Sequence, residues 1–271
     1  MENLYDQLVR LRAMPHAYED WAAYRASLTD FILGNTEKGA SAIILGAGPC
    51  NDLDLARLTA QFPSLTLCDI DVAAMRQGLA RQGIGEDAVT LLEADLAGIP
   101  AGDYRELAEA VMSELQVGSP DGNAVTYMFY DAIEQALENL CPTPIPRDTY
   151  DYVICSGVHS QLLAPFAQMA AVFSRYCQLD LEGIFARVSG ANGILTCAFN
   201  GLTLSVPRKG TILGLEQGRA GTEGGVEGAQ QALENLADMG ITPNSEVTLT
   251  WPFDTAQGKT YTMRVMAIPR G

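Results

Sequence analysis

Between residues 42 and 92, short apolar runs alternate with helical patterns, and this alternation limits the possible folds more than any other feature. The runs at 42–45, 65–68 and 89–92 predict three buried strands, and the segments between them predict helices. Because crossovers between parallel strands are right-handed, helices cover both faces of such a sheet. The sequence therefore predicts a doubly wound α/β fold.

The rest of the chain adds elements around this unit. A fourth strand at 152–155, a helix at 162–181, a fifth strand at 193–199 and a helix at 228–239 continue the pattern. A terminal hairpin at 246–251 and 260–268 then brings the sheet to seven strands, mostly parallel with the last one antiparallel. The glycine-rich segment 210–228 predicts a mobile loop. For the overlapping stretch Arg208 to Arg219, a solvated loop and a lid are alternative interpretations.

Helical segments lie outside the strand series. Residues 1–38 predict an N-terminal helical cap with helices at 4–14 and 18–33. Residues 97–149, with helical patterns at 104–115 and 125–140, form a helical insertion between strands three and four. Because a separate domain of that size would be marginally stable, we expect one domain over 1–271.

Charge and cysteine usage exclude several classes of partner. The net charge of −16, from 33 acidic and 17 basic residues, disfavours nucleic acid and anionic membranes. The six cysteines show neither a CxxC pair nor metal-ligand spacing, so we expect reduced thiols and no metal. The first residues lack an apolar signal core and no segment reaches the length of a membrane span, which predicts a cytoplasmic protein.

A glycine loop follows the first strand in the segment LGAGPCND. Gly46 and Gly48 allow a sharp turn and close approach of a ligand, although an ordinary turn would also explain them. The third glycine of the dinucleotide patterns is absent, because Cys50 and Asn51 occupy those positions. Asn51 and Asp52 predict the cap of the next helix, and the acid there disfavours a diphosphate.

Acidic residues follow the next two strands. Asp69, roughly 20 residues beyond the glycines, stands where a carboxylate accepts hydrogen bonds from both ribose hydroxyls. Asp71 is better explained as the cap of the following helix, whereas Asp95 fits a cap and a ligand contact equally well. Together with the glycine loop, Asp69 predicts a nucleoside site.

Four segments, LGAGPCND, LCDID, LEADL and YDYVICSGVHSQL, together with the closing hairpin, resemble the successive motifs of class I S-adenosylmethionine-dependent methyltransferases. The resemblance covers roughly residues 42–163 and implies that family's Rossmann-like seven-stranded fold. It departs from the family pattern at Cys50, which replaces the usual third glycine, and at Ile43 or Ile44, where an acid often opens the first motif.

The resemblance also implies S-adenosylmethionine as cofactor, with contacts at each motif. It places the methionine part on the loop of Gly46, Ala47 and Gly48, the ribose on Asp69 beside Ile70, and the adenine against Asp95 and Leu96. It places the sulfonium over Ser156 and Gly157, and Arg25 near the methionine carboxylate; ordinary aromatic packing of the helix that carries Arg25 is the alternative.

The expected reaction is methyl transfer by in-line displacement to a small-molecule acceptor that the sequence does not identify. His159, just beyond the fourth strand, is the candidate general base, with simple packing under the next helix as an equal alternative; His16 has no predicted role. A noncatalytic protein that binds the nucleoside and, less favoured, an NAD-dependent oxidoreductase are the rival functions. The oligomeric state is not defined by the sequence.

Overall fold

The computed structural model of the protein describes residues 14, 16–116, 120–138, 145–221 and 225–270. Within these residues the strands are β1 (Ser41–Leu45), β2 (Ser64–Asp69), β3 (Thr90–Glu93), β4 (Tyr152–Ser156), β5 (Gly210–Arg219), β6 (Ser245–Asp254) and β7 (Lys259–Pro269). They form one sheet in the order β3-β2-β1-β4-β5-β7-β6. All pairs are parallel except those of β7, which runs antiparallel to β5 and β6.

The helices in the described part of the chain cover both faces of this sheet. They are α1 (Ala17–Asp20), α2 (Ala22–Gly34), α3 (Leu55–Gln61), α4 (Val72–Arg81), α5 (Ala101–Leu115), α6 (Gly122–Glu138), α7 (Ala164–Phe173), α8 (Leu181–Ser205) and α9 (Ala229–Asp238). None of them has both the length and the apolar composition needed to cross a bilayer.

Alternate residues of each central strand enter two separate cores. In β1, Ile43 and Leu45 pack with α5 to α9, while Ala42 and Ile44 pack with α1 to α4. Successive side chains of a strand point to opposite faces, so a strand that is covered on both sides is apolar throughout. The observed sheet order and the antiparallel β7 confirm the predicted doubly wound, seven-stranded α/β fold with an antiparallel last strand.

The predicted fifth strand is wrong. Residues 193–199 lie inside the long helix α8, whose N-cap Asp180 accepts a hydrogen bond from the Gly183 N–H at 2.9 Å. A short apolar run does not by itself distinguish a buried strand from a buried helix. The helical spacing of the buried residues Ile184, Leu195 and Phe199 becomes apparent only over the full length of α8.

The true fifth strand is β5, in the segment expected to be a loop or a lid. Its glycines suggested a loop, yet they serve close strand contacts: a Cβ on Gly214 would lie 3.0 Å from the Cβ of Ser156 on β4. A strand glycine often marks such a close approach. Both predictions for Arg208 to Arg219, the loop and the lid, are therefore wrong, because β5 is buried over Gly210 to Glu216.

Several helix boundaries also differ from expectation. The helix after the glycine loop begins at Leu55 and is capped by Asp54, which accepts from the Arg57 N–H at 3.2 Å, so Asn51 and Asp52 are not its cap. The helix expected at 162–181 ends at Phe173. Asp71 caps α4 as predicted, accepting from the Ala74 N–H at 2.9 Å. The helix predicted at 4–14 lies almost wholly outside the described residues.

Candidate ligand site

A cavity of about 430 Å³ opens at the carboxyl end of the parallel strands. Its walls come from the segments that follow β1, β2, β3 and β4, from Trp21 between α1 and α2, and from the end of β6. This is where ligands bind in doubly wound sheets, and the volume falls within the ordinary range of small-molecule sites. Most of the predicted contact residues line it: Gly46, Ala47, Gly48, Asp69, Ile70, Asp95, Leu96, Ser156 and Gly157.

Asp69 fastens the glycine loop to the end of β2. Its Oδ2 atom accepts a hydrogen bond from the Gly48 N–H at 2.8 Å, and its Oδ1 atom accepts one from the Asp71 N–H at 2.9 Å. Gly46 and Gly48 have φ values of 73° and 47°, in the left-handed region that glycine tolerates best. The loop and the carboxylate therefore form one rigid corner of the cavity.

Close packing behind the loop comes from a glycine that the sequence interpretation missed. A Cβ on Gly78 of α4 would lie 2.8 Å from the carbonyl carbon of Pro49 and 3.1 Å from the Cβ of Cys50. The helix thus meets the loop backbone directly, which is the packing role that the third glycine of dinucleotide-binding loops has. The only signal in the sequence was an isolated glycine inside a helical pattern.

Polar side chains of α4 and the residue after it also hold the loop. The Arg81 Nη1 atom donates to the Asn51 side-chain oxygen at 2.5 Å. The Gln82 Nε2 atom donates to the Cys50 and Leu53 carbonyls, both at 3.0 Å. Asn51 is therefore engaged in the scaffold of the loop.

Asp95 combines the two roles that the sequence left open. Its Oδ1 atom accepts a hydrogen bond from the Ala97 N–H at 2.7 Å, which stabilises the turn after β3. Asp95 and the neighbouring Leu96 also line the cavity. A contact between these two residues and an adenine remains a prediction.

The segment after β4 forms the cavity floor. Ser156 Oγ lies 3.2 Å from the Tyr24 hydroxyl, and Gly157 has a φ of 68°. A Cβ on Gly157 would lie 3.0 Å from Trp251 Cζ3, so only glycine allows the indole to come this near to the floor.

Three aromatic side chains, Trp21, Trp251 and Phe253, close one end of the cavity, which we call the aromatic end. The two indoles meet edge to face with centroids 5.0 Å apart, and Phe253 lies 4.9 Å from Trp251 and 6.0 Å from Trp21. The Trp21 Nε1 atom donates to the Phe253 carbonyl at 3.2 Å. Trp251 and Phe253 were missed in the sequence because β6 is remote from the motifs along the chain.

Arg25 is not among the residues that line the cavity. Its Nη1 atom donates to the Tyr18 and Asn51 carbonyls at 2.7 and 2.8 Å, and its guanidinium lies 3.8 Å over the Tyr18 ring. Arg25 therefore connects the N-terminal helices to the glycine loop. Its predicted contact with a ligand carboxylate stays a prediction.

His159 does not occupy the place of a general base. The residue is fully buried, its Nε2 atom lies 3.0 Å from the Asn200 side-chain oxygen, and its ring packs edge-on against Phe199. It does not line the cavity, whereas a base must reach the proton that it removes. We therefore correct the catalytic prediction: the packing alternative describes His159 better.

The burial of His159 predicts a pH-dependent stability. Burial lowers the His159 pKa to about 4, against an ordinary value of 6.5. Below pH 6.5, His159 takes up a proton in the unfolded chain but not in the folded protein. The contribution of the neutral His159 to stability is therefore complete above pH 6.5 and is lost as the pH falls towards 4. We compare the unfolding free energy of the wild type with that of His159→Gln. The wild-type value minus the variant value should be about 2 kcal/mol smaller at pH 5 than at pH 7.

Urea unfolding of both proteins at the two pH values measures this difference. The matched control is His16→Gln, which removes the exposed histidine. An unchanged excess for His159→Gln, or an equal change for both variants, would contradict the buried neutral imidazole.

The cavity is acidic. Its lining includes Asp52, Asp69, Asp71 and Asp95 and, among the described residues, no arginine, lysine or histidine. Burial raises the pKa of Asp52 to about 6, while the nearby Arg25 partly opposes that shift. This environment favours a ligand with positive charge and disfavours a diphosphate.

No protein-family model matches the chain, and no curated protein matches it in sequence. Solved structures with a similar arrangement include an S-adenosylmethionine-dependent methyltransferase from Aquifex aeolicus, with 10% identity, a TM-score of 0.45 and coverage of 97% of this chain and 98% of that one. Another is the magnesium protoporphyrin IX methyltransferase of Synechocystis PCC 6803 with bound S-adenosylmethionine, with 11% identity, a TM-score of 0.44 and coverage of 96% and 86%. Similarity at this level assigns neither ligand nor acceptor.

Proposed function

We propose that the cavity binds S-adenosylmethionine and that the protein transfers its methyl group to a small-molecule acceptor. The observation that carries the proposal is the corner formed by Asp69 and the glycine loop, in a cavity to which the described residues contribute no basic side chain. Two ribose hydroxyls suit a carboxylate at the end of β2. A cationic sulfonium suits the acidic lining, which a diphosphate does not.

The residues present fit the parts of this ligand. Asp69 would hold the ribose, and the segment of Asp95 and Leu96 would hold the adenine. The backbone of Gly46 and Gly48, whose left-handed φ values suit glycine, would carry the methionine part. The floor at Ser156 and Gly157 would then lie near the sulfur.

The chemistry asks little of the protein beyond positioning. The bound sulfonium supplies an activated methyl group and a neutral thioether as leaving group. The rigid corner at Asp69 orients the donor, and the aromatic end excludes water beside the floor. Since His159 lies outside the cavity, the reaction we propose does not use it as a base.

Calorimetric titration with S-adenosylhomocysteine, the demethylated product, and with NAD tests the ligand. We expect micromolar or tighter binding of the product and no measurable binding of NAD. Tight NAD binding without binding of S-adenosylhomocysteine would overturn the proposal in favour of an oxidoreductase.

A methyl-release assay over a panel of small acceptors then distinguishes an enzyme from a protein that only binds the nucleoside. We expect turnover to survive in His159→Gln to the extent that the variant is folded. Loss of turnover in a fully folded His159→Gln protein would contradict the position assigned to this residue.

A further inference from the structure

We propose that the aromatic end of the cavity binds the methyl acceptor, and that this acceptor is an amine that carries a positive charge at neutral pH. The inference rests on the proposed function, because the rest of the cavity must hold the methyl donor. It names the class of substrate that the same site takes.

The sheet order separates a donor end from an acceptor end. Asp95 follows β3, Asp69 ends β2 and the glycine loop follows β1, so the donor extends across these three neighbouring strands. Gly157 follows β4, on the other side of β1. Trp251 and Phe253 belong to β6, which is still further along the sheet. The aromatic end therefore lies beyond the reactive end of the donor.

The aromatic end brings largely buried aromatic rings to the cavity lining. Trp21 and Trp251 are 8% and 5% exposed, and Tyr24 stacks on Trp251 from behind with centroids 5.5 Å apart. Aromatic rings attract ammonium groups through their quadrupole, and the attraction grows when water is excluded. Such a wall suits a substituted ammonium better than a strongly hydrated neutral group.

Two carboxyl groups lie near this wall: Asp52 is half-buried and lines the cavity, and Glu216 is buried. Asp52, on the loop side, and Glu216, behind Gly157, both lie near enough to Tyr24 to raise the pKa of its hydroxyl further than burial alone does. Glu216 is 2% exposed; its Oε1 atom accepts from Ser160 Oγ at 2.8 Å, whereas its Oε2 atom has no hydrogen-bond partner among the described residues. Buried carboxyl groups are stabilised by a nearby cation.

An anionic acceptor does not fit the same place. Among the described residues, the cavity lining has no basic side chain to pair with a carboxylate or phosphate. Asp52 would repel either group. The aromatic rings and the nearby carboxyl groups thus both favour an acceptor with positive charge.

The transfer step balances with the groups present. The bound ammonium gives a proton to the Asp52 carboxylate, which leaves a neutral amine with a lone pair. That lone pair forms the new bond to the methyl carbon while the carbon–sulfur bond breaks and its electron pair stays on sulfur. The products are a methylated ammonium, a neutral thioether and a protonated Asp52, which returns its proton to solvent.

Fluorescence titration tests the inference, because the only two tryptophans of the chain both line the aromatic end. The protein is first saturated with S-adenosylhomocysteine and is then titrated with choline or with 3,3-dimethylbutan-1-ol, in which carbon replaces the nitrogen. We expect choline to bind at least about 10-fold more tightly than its neutral isostere. Equal affinities, tighter binding of the alcohol, or no binding of either probe would overturn the inference.

Single substitutions identify which residues are responsible for the preference for choline. Asp52→Asn should weaken choline binding by about 5-fold or more, whereas Asp54→Asn, which removes the same charge outside the cavity lining and retains a capping side chain, should not. Trp251→Leu should reduce the preference for choline over the alcohol. An effect of Asp54→Asn equal to that of Asp52→Asn would overturn the assignment of Asp52.

The same samples distinguish failure of the proposed function from failure of the amine inference. If S-adenosylhomocysteine does not bind, the proposed function itself fails. If it binds and the preference for the cation is absent, only the amine inference fails.

Discussion

Replacing Asp69 with asparagine is expected to weaken S-adenosylhomocysteine binding by on the order of 100-fold. The substitution keeps the shape of the side chain but turns one acceptor oxygen into a donor. If that donor faces the backbone N–H of Gly48 or Asp71, two donors oppose each other. If it faces a ribose hydroxyl, the hydroxyl loses a charged acceptor. Hydrogen bonds to a charged acceptor contribute about 1.5–3 kcal/mol each, which accounts for the size of the loss.

Calorimetry with a matched control measures this effect. Glu93 lies directly beside Asp69 in the register of β2 and β3, but its side chain is exposed and does not line the cavity. Glu93→Gln removes the same charge from the next strand and should change the affinity by less than about 3-fold. Equal losses in both variants would indicate a general effect of net charge and would contradict the ribose role of Asp69.

Replacing Gly78 with alanine is expected to destabilise the protein by about 2 kcal/mol. Alanine normally favours a helix by about 1 kcal/mol over glycine, so the expected sign is the opposite of the intrinsic preference. The reason is the contact with Pro49 and Cys50, where the added methyl group meets backbone that is held on its other side by Asp69. The loop must move, and cofactor affinity should fall with stability.

Urea unfolding at 25 °C compares this variant with Gly190→Ala. Gly190 lies in the interior of α8, and a Cβ there would have no heavy atom within 4 Å. That control should gain about 1 kcal/mol of stability. If Gly78→Ala is as stable as the wild type and binds S-adenosylhomocysteine normally, the close packing of α4 on the loop is not a requirement of the site.

The sequence predicted those parts of the fold that local patterns determine. Apolar runs identified β1 to β4, and the cap at Asp71 followed from an acid placed directly before a helical pattern. The residues 193–199 misled the interpretation because an apolar segment without charges satisfies both a strand and a buried helix. The glycines of β5 suggested a loop, although they mark close strand contacts.

In the site, too, local patterns predicted some residues, whereas others depend on packing between distant segments. Asp69, Asp95 and the glycines were found because each lies at or just beyond the carboxyl end of a strand, and the carboxyl ends of parallel strands meet at one edge. Gly78, Trp251 and Phe253 were missed because their roles arise from packing between distant segments. His159 was misplaced for a related reason: its position after β4 was correct, but its side chain turns towards Asn200 and away from the cavity.

A crystal structure of the protein with S-adenosylhomocysteine tests the central claim most directly. We predict both ribose hydroxyls within hydrogen-bond distance of the Asp69 carboxylate, the adenine beside Leu96 and the sulfur next to Gly157, facing the aromatic end. A nucleoside bound elsewhere, or a cavity without ligand in crystals grown at saturating S-adenosylhomocysteine, would contradict the account.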